Sequence, residues 1–526
     1  MTAHRVAGCV IPLFSLRTER DWGIGQITDL PACATWVRAS GHKLLQLLPP
    51  YELAAGETSP YGARTAFGLD PLYIGIEAIE DLEGVPVVEL IGNEGETELA
   101  RLRTLDAVDY PSVRALKTRA LATAFTRFYE REWVGTGQSS PRSIQFRAFV
   151  EREHEWLGDL SLYVALRESH NDWSWQDWPP GQSQRDPVAL AEASESMGRR
   201  ILEYQYLQWI AHTQWDRARG EMRGIGVELM GDLPFVVGRE SADVWSRPEE
   251  FRRDASLGAP PDAFSPEGQD WGLPPYDVSS MLAHDLSWLR ARTRHAARLY
   301  DRFRLDHVVG YFRQWVKPAS GSGSTPHVTS KGAFTPTGEK DQQQLGEHLL
   351  KAFITEAAPA RIVAEDLGVI PPFVRRTLNE LKLPGYRVIP WEKQDGVGFR
   401  DPAKFPEVSV ATYSTHDTAP ITGWWDELDP GDRRGIAAMA HVDEATVDRH
   451  ALWKALLRLL FNSGAELTLT LVSELLGESR RINLPGTVGG ANWTYRLPAS
   501  LEALERDPAV VARMREVRVL IEQSGR

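Results

Sequence analysis

Cysteine is nearly absent: only Cys9 and Cys33 occur in 526 residues. Two thiols are too few for a disulfide framework, so a reducing, cytoplasmic location is expected. No apolar run approaches the ~18 residues of a membrane span, so no membrane partner is expected. The one stretch that imitates a leader, Val6–Leu16, contains Pro12, lacks a small-residue cleavage site and runs directly into Arg17. It reads as a first buried strand. Positive charge is in deficit: 59 Lys and Arg stand against 72 Asp and Glu, a formal net charge of −13. That argues against a nucleic-acid partner, because phosphate binding needs clustered cations. No His-Glu-x-x-His motif and no Cys/His cluster with metal spacing occurs, so no metal is expected. The Gly/Ser-rich stretch Ala319–Ser330, followed by Lys331, lacks the Gly-Lys-Ser/Thr ending of a phosphate loop and reads as a flexible loop. No internal repeat is present.

What is present is a regular alternation of strands and helices. Val6–Phe14 reads as a strand, Leu30–Ser40 as an amphipathic helix closed by Gly41, and Leu44–Leu48, ended by Pro49 and Pro50, as a second strand. This βαβ opening implies parallel strands with a right-handed crossover. Asp70–Ile76 has the composition of a further strand. Residues 77–215 then become charged and helix-favouring, as in Val113–Arg131 and Met197–Arg219, and are taken as a helix-rich insertion. Within it Asn171–Pro180 reads as a packed aromatic loop. Strand-like segments return at Gly226–Val237, Arg302–Asp306, Arg361–Glu365, Tyr386–Ile389, Val408–Tyr413 and Leu467–Val472. Repeated β-then-α spacing, with polar residues gathered at strand ends, predicts an α/β fold of the (β/α)8 TIM-barrel type over residues 1–526. A doubly wound open sheet is the alternative, but no Gly-rich turn follows the first strand.

Four predicted strand tips each present an acid: Asp232, Asp306, Glu365 and Asp417. In a barrel such tips converge on one face. Arg304 and Asp306 alternate onto the same side of their strand, and a guanidinium beside a carboxylate favours its charged form. An isolated Arg-x-Asp is more often a structural ion pair, so the surrounding acids decide. Glu365, in phase with Val363, faces the interior, where desolvation would keep it protonated as a proton donor. His307 and His416 stand beside two of the acids and can donate hydrogen bonds to sugar hydroxyls. Paired carboxylates with separate roles are the equipment of glycoside cleavage or transfer. The 18 Trp residues include candidates for stacking on sugar rings.

These motifs resemble the 4-α-glucanotransferases of glycoside hydrolase family 77, the amylomaltases or disproportionating enzymes, over nearly the whole length. Trp22-Gly-Ile-Gly25 and Ser59-Pro-Tyr61 match its N-terminal landmarks. Gly231-Asp-Leu-Pro-Phe235, Arg304-Leu-Asp-His307, Ala364-Glu-Asp-Leu-Gly368 and Thr415-His-Asp417 match four regions shared with the α-amylase clan. Gly258-Ala-Pro-Pro-Asp262 with Gly268-Gln-Asp-Trp-Gly272, then Leu383-Pro-Gly385 and Asn483-Leu-Pro-Gly-Thr487, are the more specific signals. The resemblance implies Asp306 as nucleophile, Glu365 as general acid/base and Asp417 as transition-state stabiliser. It places Ser59, Tyr61, Asp232, Gln269, Trp271, Arg304, His307, Asp366, His416 and Asn483 around the sugar. It further implies a lid over the C-terminal face, within residues 238–290, and no separate C-terminal β-domain. The partners it implies are an α-1,4-glucan or maltooligosaccharide donor and a sugar acceptor, without a cofactor.

The sequence departs from the family at Val308-Val309, where Phe-Arg is common, at Thr418, where Asn is common, and at Arg387–Glu392, which lacks the usual Gln-Phe pair. Residues Lys317–Gln344 also match poorly. Val308, Val309 and Thr418 are expected at or just behind the cleft wall, where they would alter acceptor choice rather than the reaction. A hydrolase that releases sugar to water shares all three acids and stays open as an alternative, as does a non-catalytic glucan-binding protein. Chain-length preference and oligomeric state are not encoded in these motifs.

Overall fold

The first strand sets the pattern of the molecule. In the computed structural model, which describes residues 5–54, 56–261, 268–320, 327–328, 332–394, 398–487 and 489–526, β1 spans Val6–Val10 and is buried throughout. It stops before Pro12, which has no N–H for a ladder bond, and the chain turns through a short 3-10 helix, Leu13–Ser15. Seven more strands follow: β2 (Leu44–Gln46), β3 (Glu228–Leu233), β4 (Arg302–Leu305), β5 (Arg361–Ala364), β6 (Gly385–Val388), β7 (Ser409–Thr412) and β8 (Leu467–Leu471). All pair in parallel with their neighbours in chain order, and β8 closes on β1 from Val6↔Leu467 to Val10↔Leu471. The closed eight-stranded parallel barrel is the fold expected from the alternation. Most strands are shorter than the apolar runs suggested, because the residues beyond each tip leave the ladder to form turns.

The expected strand at Asp70–Ile76 is absent. Pro71–Tyr73 is a 3-10 helix, capped by Asp70 Oδ1 accepting from Leu72 N at 2.9 Å. Between β2 and β3 lie five long helices, Val87–Thr104, Tyr110–Phe128, Pro141–Arg152, His154–Ser169 and Gly198–Ile225. In the aromatic loop between the last two, Trp175 and Trp178 are buried, while Trp173 stays at the surface. Over the C-terminal face of the barrel the strands Ala255–Ala259, Gln269–Asp270, Gln314–Ser320 and Ala333–Thr335 form a small antiparallel sheet. Asp262, residues 321–326 and 329–330, and Lys331 lie outside the described residues. After β8 the described elements are helices, among them Leu501–Arg506 and Pro508–Gln523. Among the described residues no helix is long and apolar enough to cross a membrane.

Candidate active site

Parallel register brings the site together. Asp232 on β3 lies beside Arg304 on β4, and Arg304 beside Val363 on β5. Alternation sends Arg304 into the barrel while Leu305 takes the opposite, fully buried side. One Arg304 nitrogen, Nη1, donates to both Asp232 oxygens at 2.8 Å. The other, Nη2, lies 2.9 Å from Asp306 Oδ1 and 3.7 Å from Glu365 Oε2. A single guanidinium therefore faces three carboxylates. Tyr61 Oη donates to Asp232 Oδ2 at 2.8 Å and completes the cluster.

Just past the tip of β4 the backbone turns sharply. His307 adopts a left-handed φ of 46°, uncommon for a residue with a side chain. The turn aims His307 N at Glu365 Oε2 (2.7 Å), and Leu367 N reaches Glu365 Oε1 at 2.9 Å. Beyond it Gly310 passes so close to the Phe235 ring that a Cβ there would stand 2.4 Å from ring carbon. Asp417 lies beyond β7 in a turn closed by Thr418 Oγ1, which accepts from Thr415 N at 2.9 Å.

Burial and pairing set the charges. Burial pushes the Glu365 carboxyl up to about 8, although Arg304 and the two backbone N–H groups oppose it. Asp232 is raised by burial against Arg304. Burial alone would lower Arg304, but Asp232 and Asp306 carry it well above its usual range. Burial would also raise Asp417; His416 Nε2 at 3.4 Å and Asn483 Nδ2 at 2.7 Å instead hold it below the usual carboxylate range. Burial takes His307 down to about 4, so its imidazole is neutral at neutral pH.

The cluster opens into a cavity of about 340 Å³ whose walls include Tyr61, Trp271, Arg304, Asp306, His307, Glu365, His416 and Asp417, a size typical of small-molecule sites. Trp271 comes from the antiparallel sheet, its ring edge-on to His307 at 5.0 Å. Gln269 is exposed and outside the lining; its Oε1 accepts from Trp271 Nε1 at 2.9 Å and so steers the indole. Asp232 is fully buried beneath the floor, and Asn483 stands behind Asp417. Ser59 lies in a turn, its carbonyl accepting from Gly62 N at 3.0 Å, and is not in the lining.

Asp366 is turned away from the cavity, contrary to its expected place around the sugar. It is 1% exposed and accepts from Tyr386 N (2.6 Å), with Arg375 and Arg387 at 3.3 and 3.4 Å. As the neighbour of Glu365 it projects to the other side, where Gly385 leaves it room. It straps β5 to β6. Val308 and Val309 are buried in the 3-10 helix behind His307 and are not lining residues.

Sequence reasoning missed Trp391, which is 54% exposed and lines the cavity beyond β6. It sits in the segment set aside as a departure, and an aromatic residue just past a strand tip was the available signal. Leu367, Phe235 and Thr415 also line the cavity without having been singled out. Among the described residues no group of three or more His, Cys, Asp or Glu is arranged to hold a metal ion. The arrangement offers a paired carboxylate, a protonatable buried one and a third held ionised, all facing one space.

A glycoside hydrolase family 77 model, described as 4-alpha-glucanotransferase, matches residues 11–502. The 4-alpha-glucanotransferase of Chlamydia pneumoniae is 30% identical over 510 residues, covering 94% of this chain and 92% of its own. That of Thermus thermophilus is 30% identical over 475 residues, with 88% and 89% covered. Among solved structures, the amylomaltase from Streptococcus agalactiae in complex with acarbose shares the fold with a TM-score of 0.82 at 23% identity, covering 98% of this chain and 99% of its own.

Proposed function

The chain belongs to the 4-alpha-glucanotransferases of glycoside hydrolase family 77, and from that premise we propose that it moves α-1,4-glucan segments from a donor to a sugar acceptor by a retaining double displacement. Asp306 attacks the anomeric carbon of the donor while the bond to the leaving oxygen breaks, and Glu365 gives that oxygen its proton. A glycosyl–Asp306 ester and a shortened glucan result. The acceptor hydroxyl then returns a proton to Glu365 as its oxygen displaces Asp306, restoring both carboxyl groups. Asp417 faces the positive charge that develops at the ring during each step.

The observation that carries this reading is the shared Arg304 nitrogen. Asp306 Oδ1 and Glu365 Oε2 lie 2.9 and 3.7 Å from that one atom, so both carboxylates gather at the same end of a single guanidinium. Two carboxylates held at one guanidinium beside the same cavity support a nucleophile and a proton donor acting on one bond, the arrangement of a retaining pair. Burial of Glu365 supports its role as the protonated member. Residues 77–215 are read as an insertion in one catalytic unit and 238–290 as the region carrying the lid. The free, buried Cys9 and Cys33 support a cytoplasmic location.

Incubating the protein with maltotriose and resolving the products tests the function. Transfer gives a ladder of shorter and longer maltooligosaccharides. Glucose and maltose alone would make the protein a hydrolase, and an unchanged maltotriose pool would make it a binding protein.

A further inference from the structure

We propose that Trp493 is a positioning residue for the sugar site, and that through it the helix-rich insertion is tied to the geometry of Tyr61, His416 and Asp417. The proposal rests on the reading of this cavity as the place of glucan transfer. Three local observations carry it.

Trp493 has a left-handed φ of 62°. For so bulky a side chain that is an outlier, and such strain persists only where the surroundings over-determine it, as they do at functional sites. Here the surroundings are specific. Trp493 N donates to Ile482 O at 2.9 Å, and its carbonyl accepts from Tyr110 Oη at 2.8 Å in a buried setting. Burial pushes the Tyr110 phenol well up, so it remains a donor.

That backbone directs the indole against two residues of the site. Tyr61 and His416 stack with centroids 5.2 Å apart and planes at 23°. The Trp493 ring lies 5.9 Å from Tyr61 and 5.8 Å from His416, closing a three-ring cluster. The polar ends of the two inner rings reach Asp232 and Asp417. Moving the indole would release both rings at once.

The preceding residue fixes the third element. Asn492 Oδ1 accepts from Leu484 N at 2.9 Å and Asn492 Nδ2 donates to Thr487 Oγ1 at 2.8 Å, which holds the turn that follows Asn483. Asn483 N donates to His416 O at 3.1 Å, and its side chain donates to Asp417. Tyr110 opens the insertion helix Tyr110–Phe128, and Val108 N bonds Thr494 O at 2.9 Å beside it. The insertion therefore grips the segment that orients three residues of the cavity.

The test is a variant series assayed on maltotriose transfer. W493A is expected to lower kcat about 10–100-fold with a smaller change in KM, since misplacing a site by about 1 Å costs on that order. W493F, which keeps a ring in place, is expected to recover most of the loss. Y110F removes only the hydroxyl on the Trp493 carbonyl and is expected to lower kcat about 2–5-fold. The ring NMR signal of His416 should move in Y110F, which leaves every aromatic ring in place, a change that a merely structural tryptophan would not produce. A folded W493A with wild-type kcat overturns the proposal. Should W493A not fold, a Y110F enzyme with wild-type kcat and an unmoved His416 signal overturns it. A wild-type protein that performs no transfer would instead reject the functional reading, before Trp493 is in question.

Discussion

Two buried arginines of this protein behave in opposite ways. Arg496 donates to both oxygens of Asp21 at 3.0 Å, with neither side chain exposed, and to the carbonyls of Leu102 and Leu105. Arg304 is almost as buried but faces Asp232, Asp306 and Glu365 together. Burial wins at Arg496 and lowers its pKa despite Asp21; at Arg304 the carboxylates win and raise it. One cation matched to one anion in a dry setting is a rivet, here joining the N-terminal segment, the helices between β2 and β3 and the segment after β8. One cation outnumbered by acids beside a cavity leaves negative charge facing a space that a ligand can enter. The number of acids around each guanidinium, and the cavity beside only one of them, distinguish a sealed Arg–Asp pair from one that a ligand can reach.

The sharpest way to break it is to neutralise one charge on each side. Asp306→Asn keeps shape and removes the attacking charge, so kcat should fall by ~10³ or more, as for nucleophiles that act in a unit. Binding of maltotriose, measured by calorimetry, should largely survive. Near-normal turnover would place Arg304 and Arg496 in the same structural class.

Glu365 comes next. Its raised pKa means that the protonated, proton-donating form prevails below about 8 and is lost above it. With Glu365 as the acid, kcat/KM for a natural donor should fall as pH rises through that value. Glu365→Gln should cost roughly 10²–10⁴-fold with natural donors and abolish the alkaline limb. A donor with an activated leaving group, such as α-glucosyl fluoride, should be spared in forming the glycosyl-enzyme. Equal losses for both donors would remove Glu365 from the acid role.

On the other side of the comparison, Arg496→Met strands the Asp21 carboxylate in the interior. Breaking a buried pair in this way costs about 3–5 kcal/mol. Denaturant unfolding should show that loss, while kcat per folded molecule stays near wild type. A variant with unchanged stability and reduced kcat would reverse the assignment of the two arginines.

The Arg304 side of this contrast could be read from the sequence, the Arg496–Asp21 side could not, and the unread part has a physical cause. Parallel strands of period two put Arg304 and Asp306 on one side, and repeated βα spacing implied the barrel that gathers Glu365 and Asp417 beside them. Asp366 went astray because motif adjacency ignores alternation: the residue next to Glu365 must face the other way, toward Arg387. Asp70–Ile76 had strand composition, but Pro71 and the Asp70 cap made it a turn. Trp493 was invisible because its role depends on a backbone angle and on contacts with Tyr61 and Tyr110, hundreds of residues away in the chain. Local pattern reports periodicity and caps; it does not report which distant rings meet.

The smallest expected effect concerns what seals the charged side of the comparison. Arg496 is dry because protein surrounds it, whereas in the proposed mechanism the acids around Arg304 need a cover while a glycosyl-enzyme waits for its acceptor. Trp271 is that cover in the proposed mechanism. It lines the cavity, packs edge-on to His307 at 5.0 Å and is steered by Gln269 Oε1 at 2.9 Å. Trp271→Ala leaves all three acids and Arg304 in place, so total bond cleavage should change little. Water, however, gains access to the ester and competes with the acceptor sugar. Losing an aromatic contact worth about 0.5–1.5 kcal/mol beyond its buried area should lower the ratio of transfer to hydrolysis by roughly 2–10-fold. The rise in total reducing ends of a maltotriose reaction, which hydrolysis causes and transfer does not, measured against the longer products, gives that ratio. An unchanged ratio would mean that Trp271 is only packed against His307 and that the acids are sealed by something else.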